Sequence, residues 1–264
     1  MADSSLEKAL RLLLCFTPER PVWGVRELAQ ALGFSPPTVQ RMVRSLCKYG
    51  FLEQDRESRR YRPGFVYFRF VETIQSQFPL EKTATPVMKA LCAKTGETTH
   101  LNVIDGKERL CISSIESPQH LKGGMPVGNR SPLYAGASSK CLLAFSEDTF
   151  IEDILNSIPL KPLTENTITD RARLKEEIKS IRLRGYSVSL GERTPGLGSL
   201  SVPVFGPNGN ILGALSLAIP EVRFRDIAHR NHCLRELLNA GETLSRNMGY
   251  GGRYPKEFSE EGQS

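Results

Sequence analysis

The sequence predicts an α+β protein of two domains, an N-terminal winged helix-turn-helix and a C-terminal antiparallel sheet covered by helices. Three observations carry this reading. Residues 25–62, VRELAQALGFSPPTVQRMVRSLCKYGFLEQDRESRRYR, form two short helical patterns around a tight turn, then a basic hairpin. From residue 80 onwards, helical periodicity mixes with strand pairs joined by hairpin signals such as Asp105-Gly106. A chain of 264 residues also exceeds one typical domain and suits two.

Helix one is expected over Leu6–Phe16, with Leu6, Leu10, Leu13 and Leu14 packing beneath the motif and Pro18 and Pro21 ending it. Helix two runs from Val25 to about Leu32, with Leu28, Ala29 and Leu32 on one face. Gly33 supplies the residue that can turn with positive φ. Ser35 is a good N-cap, and Pro36 stands at the first helical position, where a missing N–H costs nothing. The next helix buries Val39, Met42, Val43 and Leu46, leaving Thr38, Gln40, Arg41, Arg44 and Lys48 on other faces. Arg can read guanine, Gln can read adenine, and Thr can meet a phosphate or a thymine methyl. Any amphipathic helix needs a polar face. The Ser-Pro start, the turn and the basic hairpin together point to double-stranded DNA as the partner.

Tyr49-Gly50 closes that helix. The hairpin to Arg62 carries Arg56, Arg59 and Arg60 in its loop, diluted by Glu53, Asp55 and Glu57. After Pro63-Gly64, Phe65–Phe78 reads as a linker helix whose aromatic residues Phe65, Tyr67, Phe68 and Phe70 are expected to help join copies of the chain. In the second domain, helices are expected over Thr83–Thr95, Ala135–Phe145, Thr149–Ile158, Asp170–Leu183 (capped by Thr169) and Arg225–Arg246. Strands are expected over Thr98–Ile104, Arg109–Ile115, Tyr186–Glu192, Leu200–Phe205 and Ile211–Ile219, with residues 117–133 as a Gly- and Pro-rich loop. The boundaries are then 1–63 for the DNA-binding domain, 64–79 for the linker, 80–248 for the sheet domain and 249–264 for a mobile tail.

Composition is that of an ordinary soluble protein, 39% hydrophobic and 24% charged. Of the net charge of +6, +4 falls before residue 81, where 12 Lys and Arg face 8 acids. The excess sits where phosphate contacts would need it. Six cysteines are scattered without a C-x-x-C pair, which fits a reducing compartment rather than a disulfide framework. The N-terminal apolar run is broken by Glu7, Lys8 and Arg11, and no run reaches the length of a membrane span. A cytoplasmic protein that needs no membrane is expected.

His229, His232 and Cys233 share a helix face, but no complementary ligand pair lies elsewhere, so no metal is assigned. His100 sits mid-strand and reads as a packed side chain. There is no G-x-S-x-G elbow and no Walker loop, and Ser138 and Ser139 stand too near Lys140 for an S-x-x-K nucleophile. No catalytic residue and no cofactor are assigned. The Gly136–Lys140 run fits the small-residue opening of a helix, whose free N–H groups can hold a carboxylate. Ser189, Ser216 and the loop Pro195–Ser199 could converge there on a small-anion pocket, or simply be hydrogen-bonded fold residues.

Taken in order, SLEKALRLLLCF, VRELAQALGFSPPTVQRMVRSL, PLYAGASSKCLLAF, NTITD, IRLRGYSVSLGE and GALSLAIP make the chain resemble the IclR family of bacterial transcriptional regulators, from about Ser5 to Gly249. The resemblance implies a winged helix-turn-helix, a linker helix and an effector-binding domain similar to a GAF fold. It further implies a homodimer or dimer of dimers on operator DNA and a small-molecule effector, commonly an organic or aromatic acid. Carried onto this chain, DNA-reading positions fall on Ser35, Thr38, Gln40, Arg41 and Arg44, with Arg59 and Arg60 on the wing. The effector pocket falls on Leu133, Ala135, Ala137, Ser138, Ser189, Leu197, Ser199, Ser216 and Ala218. Tyr134 stands where His is usual, Ser138 replaces a small apolar residue, Ser189 and Ser199 replace an acid and a Cys, and Ala218 lacks a hydroxyl. Two other functions compete with a regulator: an enzyme acting on a small acid with an N-terminal assembly module, and an interaction protein that binds no ligand.

Overall fold

A computed structural model describes residues 4–77 and 79–255, which fall into two compact units divided between residues 78 and 79. The first unit holds α1 (Ser5–Leu13), α2 (Val25–Leu32), α3 (Pro36–Lys48), a hairpin of β1 (Leu52–Gln54) and β2 (Tyr61–Pro63), and α4 (Val66–Gln77). Local chemistry sets the helix ends. Gly33 takes φ 71° after α2, and the N–H of Gly24 before it donates to the Glu27 carboxylate at 3.4 Å. The Ser35 hydroxyl accepts from the Thr38 N–H at the start of α3, with Pro36 at the first helical position.

Leu12, Trp23, Leu28, Val39, Val43, Leu52 and Tyr61 make the core of this unit. Trp23 and Tyr61 exchange backbone hydrogen bonds at 2.9 and 2.7 Å, which ties the α1–α2 connection to the wing. One expectation for α1 is corrected. Leu12 is its buried anchor, while Leu6, Leu10 and Leu14 are exposed, because their i, i+4, i+8 stripe lies on the opposite face. On α4 nothing is fully buried, and Phe65, Phe68, Phe70, Val71 and Ile74 are exposed on or just before it. Phe78, the expected end of that helix, lies outside the described residues.

The second unit is built on a six-stranded antiparallel sheet in the order β5-β4-β3-β8-β7-β6. Its strands are β3 (Thr98–Asp105), β4 (Glu108–Ile115), β5 (Arg130–Pro132), β6 (Ser187–Leu190), β7 (Leu197–Phe205) and β8 (Ile211–Pro220). Its helices are α5 (Leu80–Thr95), α6 (Ala137–Ala144), α7 (Asp148–Ser157), α8 (Arg171–Arg184), the single turn α9 (Glu221–Phe224) and α10 (Ile227–Asn247). Directly paired residues of antiparallel strands share a face, and alternate residues swap faces. Leu200 and Leu217, Val202 and Leu215 are such pairs, and their face carries an aliphatic core under α5 and α10. Ser201 and Ser216, Ser199 and Ala218, Ser189 and Ser199, and His100 and Ser216 are also pairs. That second face is small and polar, and α6 lies over it, with α7 and α8 completing another core beyond.

Several boundaries differ from expectation. Leu197–Ser199 is not a loop but the start of β7, because its backbone pairs with β6 on one side and β8 on the other. The Gly-rich segment 117–133 contains β5. Asp170, not Thr169, caps α8, its carboxylate accepting from Arg173 N–H at 2.7 Å. The tail expected to move from Gly249 is anchored as far as Tyr254. That ring is buried, and its hydroxyl donates to the Pro203 carbonyl at 2.6 Å. Residues 256–264 of the expected tail lie outside the described residues.

Candidate functional site

In the first unit, Arg41 and Arg44 stand exposed on α3, and neither forms an ion pair among the described residues. Ser35 and Thr38 are partly committed to each other, with hydroxyl oxygens 2.8 Å apart at the helix start. Gln40 donates to the Tyr61 hydroxyl at 3.4 Å, which links α3 to the wing. Arg59 is exposed at the wing tip in a left-handed conformation, φ 58°. Arg60, the other expected wing contact, is engaged within the unit. Its guanidinium makes a two-pronged pair with Glu27 at 3.0 and 2.8 Å, because that carboxylate lies beside it and also collects Arg20. The two arginines and the Gly24 N–H hold the Glu27 carboxyl below its ordinary range, Arg60 most strongly.

The second unit holds a partly open cavity of about 50 Å³ between the start of α6 and the polar face of the sheet. Of the nine expected pocket residues, all but Leu133 line it. Leu133 is fully buried in the core of α6, α7 and α8 instead, where its apolar side chain has neighbours such as Cys141 and Leu142. Among the lining residues that escaped the sequence reading are His100, Arg109, Met125 and Arg193. A signal for Arg109 existed, since it shares strand parity with Cys111 and Ser113, the buried positions of β4.

These residues change the chemistry of the site. Arg109 donates to the Asn129 carbonyl at 3.0 Å, to its amide oxygen at 3.2 Å and to the Met125 sulfur at 3.0 Å. Arg193 donates to the same Asn129 amide oxygen at 3.0 Å. Burial, then the charge of Arg193, brings the Arg109 guanidinium down to about 10, and burial lowers Arg193 as well. His100 Nε2 accepts the Met125 N–H at 3.2 Å, which leaves its proton on Nδ1. Burial, reinforced by the two arginines, pulls that imidazole to about 4.

The start of α6 is not wholly open. The Gly136 N–H donates to the Glu192 carboxylate at 3.1 Å, and the other oxygen of Glu192 meets Lys140 Nζ at 2.6 Å. No side chain caps α6, and Gly136 takes φ 89° there. Ser216 shares its hydroxyl with Ser201 at 2.8 Å and Asn102 at 3.4 Å. On α10, His229 and His232 point to different partners, Glu97 at 2.8 Å and the Lys94 carbonyl at 3.2 Å, and no metal-binding group occurs among the described residues. No helix among them is long and apolar enough to cross a membrane.

A helix-turn-helix unit with a basic outer helix and a sheet unit with a recessed polar cavity define a DNA-binding transcriptional regulator. Comparison with known proteins specifies which kind. The IclR helix-turn-helix domain matches residues 5–56, and the bacterial transcriptional regulator IclR C-terminal domain matches residues 72–246. The chain belongs to the IclR family. It is similar to the HTH-type transcriptional regulator KipR of Bacillus subtilis (strain 168), 31% identical over 94% of this chain and 98% of KipR. The crystal structure of the Thermotoga maritima IclR aligns with a TM-score of 0.79 at 29% identity, covering 93% of this chain and 99% of that one. An IclR homologue from Microbacterium hydrocarbonoxydans, complexed with 4-hydroxybenzoate, shares the fold at a TM-score of 0.82 and 22% identity, covering 93% and 99%.

Proposed function

We propose that this regulator binds operator DNA through α3 and the wing as a homo-oligomer, and that a small organic acid in the cavity of the second unit controls that binding. The observation that carries the effector reading is the pair of guanidinium groups, buried Arg109 and half-buried Arg193, lining a recessed cavity beside serine hydroxyls. On the DNA side, Arg41, Arg44 and Arg59 are exposed cations, with Thr38 and Gln40 nearby on α3. The exposed leucine stripe of α1 and the aromatic residues around α4 are apolar surface suited to a second copy. One helix-turn-helix buries little, so pairing on half-sites about one helical turn apart supplies the affinity. Such a protein works in the cytoplasm, where the DNA is.

Binding alone regulates nothing, since the acid must favour one arrangement of the protein over another. The test is a thermal-shift screen of small carboxylates, followed by operator binding with and without each hit. A hit that raises the melting temperature and changes operator affinity is the expected result. Ser138→Phe fills the cavity and should abolish the response while the protein still shifts operator DNA. An unchanged effector response in that variant would place the ligand elsewhere.

A further inference from the structure

We propose that the cavity takes a small dianion, a short dicarboxylate bound between Arg109 and Arg193. This rests on the reading of the cavity as the effector site. The first argument is a count of charges. Neither Arg109 nor Arg193 meets a carboxylate among the described residues: their partners are the Met125 sulfur and the carbonyl and amide oxygens of Asn129, all neutral. Glu192, next in the chain to Arg193, is engaged by Lys140 and by the Gly136 N–H. Lys140 is therefore compensated, with Glu177 at 3.4 Å as a second acid. His100 is neutral at ordinary pH. Two positive charges, Arg109 buried and Arg193 half-buried, remain without a counterion, whereas charges withdrawn from water are ordinarily paired and an arginine does not escape by losing its proton. A monocarboxylate answers one of them. A dicarboxylate answers both, each carboxylate accepting from one planar guanidinium.

The second argument is the supply of donors. His100 Nδ1–H and Arg109 Nε–H are buried with no hydrogen-bond partner, although both side chains are almost fully enclosed. Unpaired buried donors are costly, and here both belong to residues that line the cavity. An acceptor-rich ligand satisfies them. The third argument is size. A cavity of about 50 Å³ accommodates on the order of four waters, equivalent to a molecule of roughly five to eight non-hydrogen atoms. Oxalate, malonate and succinate fit that range.

Titration calorimetry on the full chain tests this with each of those diacids against its monoamide (oxamate, malonamate, succinamate), which keeps the size and removes one charge. At least one diacid should bind about tenfold or more tightly than its monoamide. In Arg193→Gln, checked for folding by circular dichroism, that ratio should shrink to within about threefold. If the variant does not fold, the wild-type ratio alone decides. Equal affinity for diacid and monoamide in the wild type overturns the dianion and leaves the small-acid reading standing. Tighter binding of inorganic phosphate than of every diacid overturns the dicarboxylate. Failure of all three diacids while lactate or benzoate still shifts the melt overturns the dianion alone. Silence from every acid overturns the effector reading together with it.

Discussion

Arg109 and Arg193 donate to one and the same neutral oxygen, Oδ1 of Asn129, at 3.2 and 3.0 Å. A buried cation and a half-buried one thus share an acceptor that carries no charge, and their mutual repulsion is part of why Arg109 sits at about 10. Asn129→Asp puts a permanent carboxylate at that point. The ligand-free protein should gain about 1.5–3 kcal/mol, the range for hydrogen bonds to charged groups. Its melting temperature should rise, and the further rise caused by an acidic ligand should shrink or vanish. A melt of the variant with and without diacid checks both. A lower melting temperature would show that the arginines are content with the amide.

On the DNA side, Arg41→Ala and Arg44→Ala should each weaken operator binding, by about 1–3 kcal/mol where the residue contacts a base. A phosphate contact instead weakens all sequences alike and reduces the salt slope by about one. Titrations of operator and scrambled DNA at several salt concentrations separate the two cases. Folded variants that bind the operator as tightly as the wild type would remove α3 from the interface.

Arg59 and Arg60 are neighbours with different expected phenotypes. Arg60 pairs with Glu27 and holds the wing to α2, while Arg59 is exposed at the tip. Arg60→Ala should lower the melting temperature of the DNA-binding unit, and more so at low salt, where the pair is least screened. The Glu27 carboxyl is held low, so the contribution of this pair is present at neutral pH and fades as acid protonates Glu27. Arg59→Ala should leave the melt alone and reduce only the salt dependence of DNA binding. Identical behaviour of the two variants would contradict this division.

The DNA-binding unit was legible because its signals are local. Gly33, Ser35 and Pro36 each dictate a backbone conformation within a few residues, and the structure has those conformations. The second unit was legible only where periodicity is local too. The inward parity of Ser189, Ser199 and Ser216 emerges from the register in which the successive strands β6, β7 and β8 pair, which no single strand's pattern dictates. Arg109 and Arg193 lie 84 positions apart, by their numbering, and meet at Asn129 and Met125, so no spacing rule could join them. Leu133 was misplaced because an apolar residue next to a pocket and one in the neighbouring core look alike in sequence. Tyr254 was read as tail for the opposite reason. Its Gly- and charge-rich surroundings resemble a solvated end, and only the docking on Phe205 and Pro203 shows otherwise.

That anchored tail has a measurable weight. Tyr254 buries its ring in the aliphatic core and satisfies its hydroxyl on Pro203. Gly241 on α10 leaves the room, since a Cβ there would meet the tyrosine hydroxyl and Val202. Ending the chain before Tyr254 should cost about 3–5 kcal/mol, the range for deleting a buried aromatic side chain. Tyr254→Phe should cost about 1 kcal/mol, the loss of one hydrogen bond. Denaturant titration of both forms gives the two numbers. Equal stability of truncated and intact protein would return the segment to a mobile tail.

His100 gives the pH dependence. Its imidazole is neutral in the folded protein down to about 4, whereas in the unfolded chain it takes a proton near 6.5. As pH falls through that window the unfolded state binds a proton that the folded state refuses, so stability is full above 6.5 and declines towards about 4. At roughly 1.4 kcal/mol per pH unit, the decline from this residue approaches about 3 kcal/mol. His100→Gln keeps an acceptor for the Met125 N–H and removes the titration. Unfolding free energies of the two proteins should therefore converge or cross as pH falls from roughly 7.5 to 4.5, with the variant showing the shallower slope. An anion between the arginines opposes their effect on the imidazole, so a bound diacid should also flatten the wild-type curve. Parallel curves for wild type and variant across that range would mean that His100 titrates alike in both states.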